Sequence, residues 1–214
     1  MDLKISAVAS LRGKIAVPGD KSISHRAIIL GAMAEGDTTV IDFLPAADCL
    51  STLKCIRALG VEVEELSSTK LVIHGVGVSG FKEPGDVLDV GNSGTTLRVL
   101  TGVLAGQGFS SVLTGDESVR RRPMNRVIVP LLEMGAEIRG SENGTRAPIS
   151  ILGRPLRGIS YTTPIPSAQV KTALLLAGLL AEGKTTVTEE FQSRDHTERM
   201  LKFMGADISV EGTT

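Results

Sequence analysis

Three stretches of the chain are apolar nearly all the way round a helical wheel: Ala27 to Ala34, Leu97 to Ala105 and Val170 to Ala181. A helix without a polar face belongs inside a protein. Each is expected to close at a glycine, Gly36, Gly108 or Gly183. A β-prone run follows every time, at Thr38 to Ile41, Ser110 to Leu113 and Thr185 to Thr188. Next comes a two-faced helix. In Glu198 to Met204, the apolar Met200, Phe203 and Met204 recur at i, i+3, i+4, with Arg199 and Lys202 facing outward. These second helices end at Leu59-Gly60, Met134-Gly135 and Met204-Gly205, so their closing glycines lie 75 and 70 residues apart. Alternating strands follow at Val61 to Glu64, Ala136 to Arg139 and Ala206 to Val210. The first two copies add another strand, Lys70 to Ile73 and Ala147 to Ile151, and strands lead into the apolar helices at Lys14 to Val17, Asp86 to Val90 and Ile159 to Thr163.

The expected fold is therefore α/β (α+β), a threefold repeat of βαβαββ units with inner apolar helices and outer sheets. The period exceeds that of solenoid repeats. The third copy stops early: after Ile208-Ser209-Val210-Glu211-Gly212 a hairpin turn and a final strand are due, and the sequence ends at Thr214. Residues 1–12 precede the first unit and are read as a strand segment of a second domain. Residues 13–214 are then one incomplete domain.

Chemistry concentrates where the apolar helices begin. The three starts are Gly19-Asp20-Lys21-Ser22-Ile23-Ser24-His25-Arg26, Gly91-Asn92-Ser93-Gly94-Thr95-Thr96-Leu97-Arg98 and Pro164-Ile165-Pro166-Ser167-Ala168-Gln169-Val170-Lys171. With Ser22, Ser93 and Ser167 as markers, the steps are 71 and 74 residues. Each start combines a Gly or Pro turn, small hydroxyl or amide side chains and a nearby cation. A helix N-terminus carries unpaired N–H groups and about half a positive charge, so it receives anions. Threefold symmetry brings the three starts to one end of the domain and points to a ligand with several negative groups.

Composition narrows the ligand. The 23 basic and 24 acidic residues leave a net charge of −1, so no global field selects nucleic acid, and five Phe, one Tyr and no Trp make no base-stacking platform. The N-terminus lacks the layout of a signal peptide, and the apolar run from Leu174 to Ala181 is far short of the ~20 residues that span a bilayer. Cys49 and Cys55 lack His or Cys partners at metal-ligand spacing and read as free thiols of a cytoplasmic protein. His25 and His196 read as capping or packing residues. Asp48 and Asp195 sit ahead of second helices, where caps are expected.

Five motifs in order, Pro18 to Arg26, Gly91 to Arg98, Arg122-Pro123, Ser167-Ala168-Gln169 and Ser193 to Glu198, resemble those of the 5-enolpyruvylshikimate-3-phosphate synthase (3-phosphoshikimate 1-carboxyvinyltransferase) family. The resemblance runs along essentially the whole chain. It implies a fold of two similar domains, each of three βαβαββ copies, with the active site in the cleft between them; this chain corresponds to the N-terminal domain. The implied reaction moves the enolpyruvyl group of phosphoenolpyruvate to the 5-hydroxyl of shikimate 3-phosphate. It passes through a tetrahedral ketal and releases phosphate, without metal or organic cofactor. The implied partners are these two substrates and a C-terminal half that holds the acid–base carboxylates, so the chain is expected to be inactive alone. The related UDP-N-acetylglucosamine enolpyruvyl transferases and a non-catalytic anion-binding module are the rival readings.

The resemblance also assigns roles. Lys21 matches a lysine that touches both substrates, and Ser22 and Arg26 match shikimate 3-phosphate binders. Gly94 matches a glycine lining the phosphoenolpyruvate pocket, with Thr95 as helix cap and supporting residue. Arg122 matches a phosphoenolpyruvate-binding arginine, while Arg120 and Arg121 are expected in solvent. Ser167 and Gln169 match substrate contacts, with the Ala168 amide as a donor, and Arg194 matches a residue reaching the shikimate phosphate. Arg98 fixes a helix or faces the cleft. Some members carry serine at the place of Ala168 and many carry proline at that of Val99, which puts this chain in a different branch.

Overall fold

The computed structural model describes residues 3–214. The first unit contains α1 (Lys21–Met33), β1 (Glu35–Val40), α2 (Ala47–Ala58), β2 (Glu62–Ser67) and β3 (Lys70–Val76). The second runs β4 (Leu88–Asp89), α3 (Gly94–Ala105), β5 (Ser110–Thr114), the single turn α4 (Glu117–Arg120), α5 (Asn125–Glu133) and β6 (Glu137–Gly140). A tight turn, α6 (Ser141–Gly144), then leads to β7 (Arg146–Leu152). The third has β8 (Leu156–Arg157), β9 (Ser160–Thr163), α7 (Ala168–Gly178), β10 (Ala181–Glu182), β11 (Thr186–Glu189) and α8 (His196–Phe203).

The repeat is visible in the pairing. β1 and β2 both run antiparallel to β3 in the order β1-β3-β2. The second unit repeats this as β5-β7-β6 and adds β4 parallel to β5. The third keeps the parallel start, β9 beside β11, and residues 206–210 form no strand. They are expected as a strand by alternation, yet a strand exists only when a neighbour supplies its ladder. In the other units that neighbour is the last strand of the unit, β3 or β7. The same reason accounts for Lys14 to Val17, expected as a strand: residues 3–17 form no ladder and leave Ile15 and Val17 exposed.

The inner helices form the core. Leu97, Leu100, Leu104 and Leu174 are fully buried, each contributing about 1.5–3 kcal/mol relative to exposure. α3 and α7 press closest at Gly102, where an added Cβ would stand 2.2 Å from the Ala173 carbonyl oxygen. The expected terminators of the inner helices are corrected: α1, α3 and α7 end at Met33, Ala105 and Gly178, three to five residues ahead of Gly36, Gly108 and Gly183. The chain turns into the next strand as soon as the apolar face is used. The second helices do end as expected. Gly60, Gly135 and Gly205 take φ of +87°, +93° and +85°, the left-handed region glycine enters without penalty.

A cavity of about 570 Å³ opens between α7, α8, β11 and residues 207–214, lined by Leu175, Leu201, Ile208 and Glu189 among others.

Candidate anion site at three helix starts

The three starts are built to one register. Asp20, Ser93 and Ser167 are the N-caps of α1, α3 and α7, each accepting from the amide three residues on. Lys21, Gly94 and Ala168 hold the first helical position, and Ser22, Thr95 and Gln169 the second. Structurally, Asp20 and not Ser22 corresponds to Ser93 and Ser167. Thr95, expected as a cap, is corrected as well: Ser93 caps α3. Among the described residues, the amides of Ser22, Thr95 and Gln169 make no hydrogen bond within the chain, so all three point donors outward at the positive helix ends.

Side chains lock the starts into a closed ring. From α1, His25 Nδ1 meets Thr52 Oγ1 of α2 at 2.6 Å, and Thr52 Oγ1 meets Thr96 Oγ1 of α3 at 2.6 Å. Gln169 Nε2 of α7 donates to Thr95 Oγ1 at 2.9 Å, and Arg98 Nη1 donates to Gln169 Oε1 at 2.8 Å. Arg26 returns to α1, donating through Nη2 to the Ala168 carbonyl at 3.3 Å and to Thr172 Oγ1 at 2.7 Å.

Arg26 is buried at 3% exposure. Its Nε donates to Thr197 Oγ1 at 2.6 Å and its Nη1 to the Ser22 carbonyl at 3.0 Å, so of five N–H groups one remains free on Nη1. Burial lowers its pKa, followed by the neighbouring Arg194. Arg194 reaches across from the loop before α8 and donates to Ser22 Oγ at 2.8 Å. Lys21 is half-exposed and pairs with Asp48 at 3.1 Å.

Around Gly94 the cations gather. A Cβ there would stand 2.7 Å from Arg122 Nη1 and 3.1 Å from Arg98 Nη1. Arg122 leans on Asn92 Oδ1 at 3.3 Å, while Arg120 and Arg121 lie in solvent as expected. Arg98 serves structure: besides Gln169 it donates to the Pro123 carbonyl at 3.3 Å. Burial lowers its pKa first, then Arg122 and Arg126. Among the described residues, Arg98, Arg122 and Arg194 form no ion pair with a carboxylate. Positive charge held together without counter-charge is the electrostatic complement of a polyanion.

Two acidic residues, Asp48 and Glu189, support the site in ways the sequence does not reveal, and the expected caps are corrected. Asp48 lies inside α2, whose N-cap is Ala46; it holds Lys21 and is not a cap. The Lys21 bond and its own backbone amide bring the Asp48 pKa down although burial works the other way. Asp195 precedes α8 without a side-chain capping bond. Glu189 accepts from the Ser167 amide at 3.1 Å, the Ser193 amide at 3.1 Å and Ser193 Oγ at 2.8 Å. It thereby ties the α7 start to the Arg194 loop. Glu189 is neutralised by Lys171 at 2.7 Å, which also meets Glu198 at 2.6 Å. Nothing in the spacing of Lys171, Glu189 and Glu198 reveals this buried triad.

The model of one family, described as EPSP synthase (3-phosphoshikimate 1-carboxyvinyltransferase), matches residues 5–214. The chain belongs to the EPSP synthase family. The protein named 3-phosphoshikimate 1-carboxyvinyltransferase in Pelotomaculum thermopropionicum is 56% identical over 214 residues, 100% of this chain and 50% of that protein. Its namesake in Geobacillus kaustophilus is 58% identical over 207 residues, 97% of this chain and 48% of that protein. The solved EPSP synthase of Acinetobacter baumannii superposes with a TM-score of 0.91 at 51% identity, covering 94% of this chain and 45% of that one. The chain thus spans about half the length of its EPSP synthase relatives. No helix among the described residues is long and apolar enough to cross a membrane.

Proposed function

We propose that this chain forms one wall of the cleft in which an enolpyruvyl group passes from phosphoenolpyruvate to shikimate 3-phosphate. The observation that carries the reading is the ring of three aligned helix starts, with Lys21, Arg122 and Arg194 around it and no organic cofactor needed for what they do. Two phosphates and two carboxylates repel one another strongly, and charge-assisted hydrogen bonds of about 1.5–3 kcal/mol each offset that repulsion. The acceptor is chosen over UDP-N-acetylglucosamine on the names of the relatives.

In this reading Gly94 and Arg122 receive phosphoenolpyruvate, the planar Arg122 fork gripping carboxylate or phosphate. Ser22, Ser167, the Ala168 amide, Gln169 and Arg194 receive shikimate 3-phosphate, Lys21 stands between the two substrates, and Thr95 steadies Gln169. Arg26 acts chiefly by holding α1 to α7 and α8, with one N–H left for the acceptor. Bond making needs a proton delivered to the methylene carbon, attack of the 5-hydroxyl oxygen on the adjacent carbon with release of the hydroxyl proton to a base, then loss of phosphate together with one proton of the methyl group so formed. The chain's residues bind and orient for these steps, and the acid–base carboxylates are assigned to a C-terminal half.

One feature supports that partner. Leu3, Ile5, Val8 and Leu11 are 65–90% exposed, which suits a strand docked elsewhere, and β11, paired with β9, meets the chain on its other edge through the Glu189 amide and the Thr213 carbonyl. The buried free thiols of Cys49 and Cys55 suit the reducing cytoplasm. The test is to mix the chain with the separately expressed C-terminal half of the Bacillus subtilis relative and assay phosphate release from both substrates. Turnover is expected only with both halves present. Turnover by this chain alone, or none after stable assembly of the halves, overturns the proposal.

A further inference from the structure

The outer face of the first sheet carries a cluster that the anion site does not use. Asp37 on β1, Glu62 and Glu64 on β2 and His74 on β3 share that face, since the register pairs His74 with Asp37 on one side and with Glu62 on the other. The opposite face is core, with Val63, Leu71 and Ile73 buried. His74 Nδ1 lies 2.7 Å from Asp37 Oδ1, a bond in which the ionised carboxylate accepts the ring proton. Nε2 faces Glu64 Oε1 at 3.3 Å, so the protonated ring donates to both carboxylates, and the neutral ring that keeps its Nδ1 proton turns a lone pair toward Glu64. One donor atom each from Glu62, Glu64 and His74 falls within 4.8 Å of the others. Among the described residues, Asp37, Glu62 and Glu64 pair with no lysine or arginine, and Asp37 and Glu64 pair only with His74. In the metal-free cluster the imidazolium supplies the positive charge between Asp37 and Glu64, and a metal ion would take the place of its Nε2 proton.

We propose that Glu62, Glu64 and His74 form a surface site for a first-row divalent transition metal, with Asp37 as the carboxylate that orients the imidazole. Zinc bound to nitrogen and carboxylate oxygen at about 2.0–2.2 Å sets tetrahedral ligands roughly 3.4 Å apart. The His74–Glu64 separation already has that value, and the exposed Glu62 side chain closes the remaining gap by rotation. An imidazole in the set favours zinc, nickel or copper over magnesium or calcium, and three protein ligands leave one position to water. The Asp37–His74 bond is the arrangement that fixes tautomer and ring direction at metal-bound histidines. The site is independent of enolpyruvyl transfer, which needs no metal.

The test is calorimetric titration of Zn²⁺ into the tag-free chain in a non-chelating buffer near neutral pH. One ion per chain is expected. His74→Ala abolishes binding, Asp37→Asn weakens it by about 10–100-fold as for other orienting carboxylates, and His196→Gln leaves it unchanged. All four cluster residues are on the surface, so metal-free melting temperatures should stay close to the parent's and confirm that the variants fold. Absence of saturable binding up to millimolar Zn²⁺ overturns the proposal. So does binding that survives in His74→Ala, or an imidazole doubly protonated by nitrogen-15 NMR that zinc does not displace.

Discussion

Arg98 donates to Gln169 Oε1 across 2.8 Å and joins two helices whose contact residues lie 71 positions apart in the chain. Gln169 completes the link by donating to Thr95 Oγ1, so one amide holds the starts of α3 and α7 in a fixed relation. Gln169→Glu keeps an acceptor for Arg98 and lets the Thr95 hydroxyl donate instead. Thermal stability should therefore change little, while the added negative charge at the mouth of the ring lowers affinity for phosphate-bearing ligands at least about tenfold, or 1.4 kcal/mol. Comparing melting temperature with phosphoenolpyruvate or shikimate 3-phosphate affinity separates the two effects. Equal affinity for parent and variant would remove Gln169 from the site.

Gly94 tests whether space at the α3 start matters. Its φ is not positive, so alanine suits its backbone, and the helix gains up to about 1 kcal/mol of propensity. The new methyl displaces the Arg122 guanidinium, whose Nη1 is 2.7 Å from the Cβ position. Gly94→Ala is expected to melt no lower than the parent and to bind phosphoenolpyruvate more weakly, with binding of shikimate 3-phosphate less affected. A parallel loss for both ligands would show that Gly94 does not discriminate between them.

The threefold unit was legible because the inner helices are apolar on every side and the second helices end in glycines whose φ demands glycine. Helix ends near Gly36, Gly108 and Gly183 were misplaced, since those glycines sit beyond a turn that side-chain packing decides. The residues of the anion site were legible as motifs, and their closure into a ring was not. Thr52, Asp48 and Glu189 enter it from other elements, and their partners lie far away in sequence. Arg26 shows the limit well: a cation one turn into a helix looks outward in sequence, yet Thr197, Thr172 and two carbonyls draw it inside. Alternation also over-predicts strands, as residues 14–17 and 206–210 show, because it registers the pleat and not the partner.

Lys171 is the countercharge of a buried triad, with side-chain exposures of 9% for Lys171, 1% for Glu189 and 10% for Glu198. Burial alone would raise the Glu189 pKa, but bonds from Lys171, the Ser193 hydroxyl and the Ser193 amide bring it below the ordinary value. Lys171→Met strands two carboxylates in the interior and should cost about 3–5 kcal/mol in urea unfolding. It should also reverse the local pH response. In the parent, the depressed Glu189 pKa contributes stability at neutral pH that is lost on acidification. In the variant, mild acid neutralises the stranded carboxylates and restores part of the loss. Glu189→Gln in the Lys171→Met background should recover most of it.

His25 sets the acid limit of the ring. It is 1% exposed, and burial lowers its pKa from 6.5 to about 4, with Asp48 pulling it back up and Lys21 and Arg26 adding to the depression. The unfolded chain therefore binds the proton first as pH falls through 6.5, while the folded chain stays neutral until about 4. Stability contributed by neutral His25 is complete above pH 6.5 and drains away down to pH 4, by about 3 kcal/mol in total at 1.36 kcal/mol per pKa unit. His25→Gln retains an amide to meet Thr52 Oγ1 and carries no titrating proton. Urea midpoints measured from pH 7 to pH 4.5 should fall more steeply for the parent than for His25→Gln, so that any stability advantage of the parent at pH 7 shrinks by about 2–3 kcal/mol at pH 4.5. Parallel curves would mean that the His25 imidazole takes up its proton without leaving the fold, and that the Thr52 and Thr96 hydroxyls accommodate the charge.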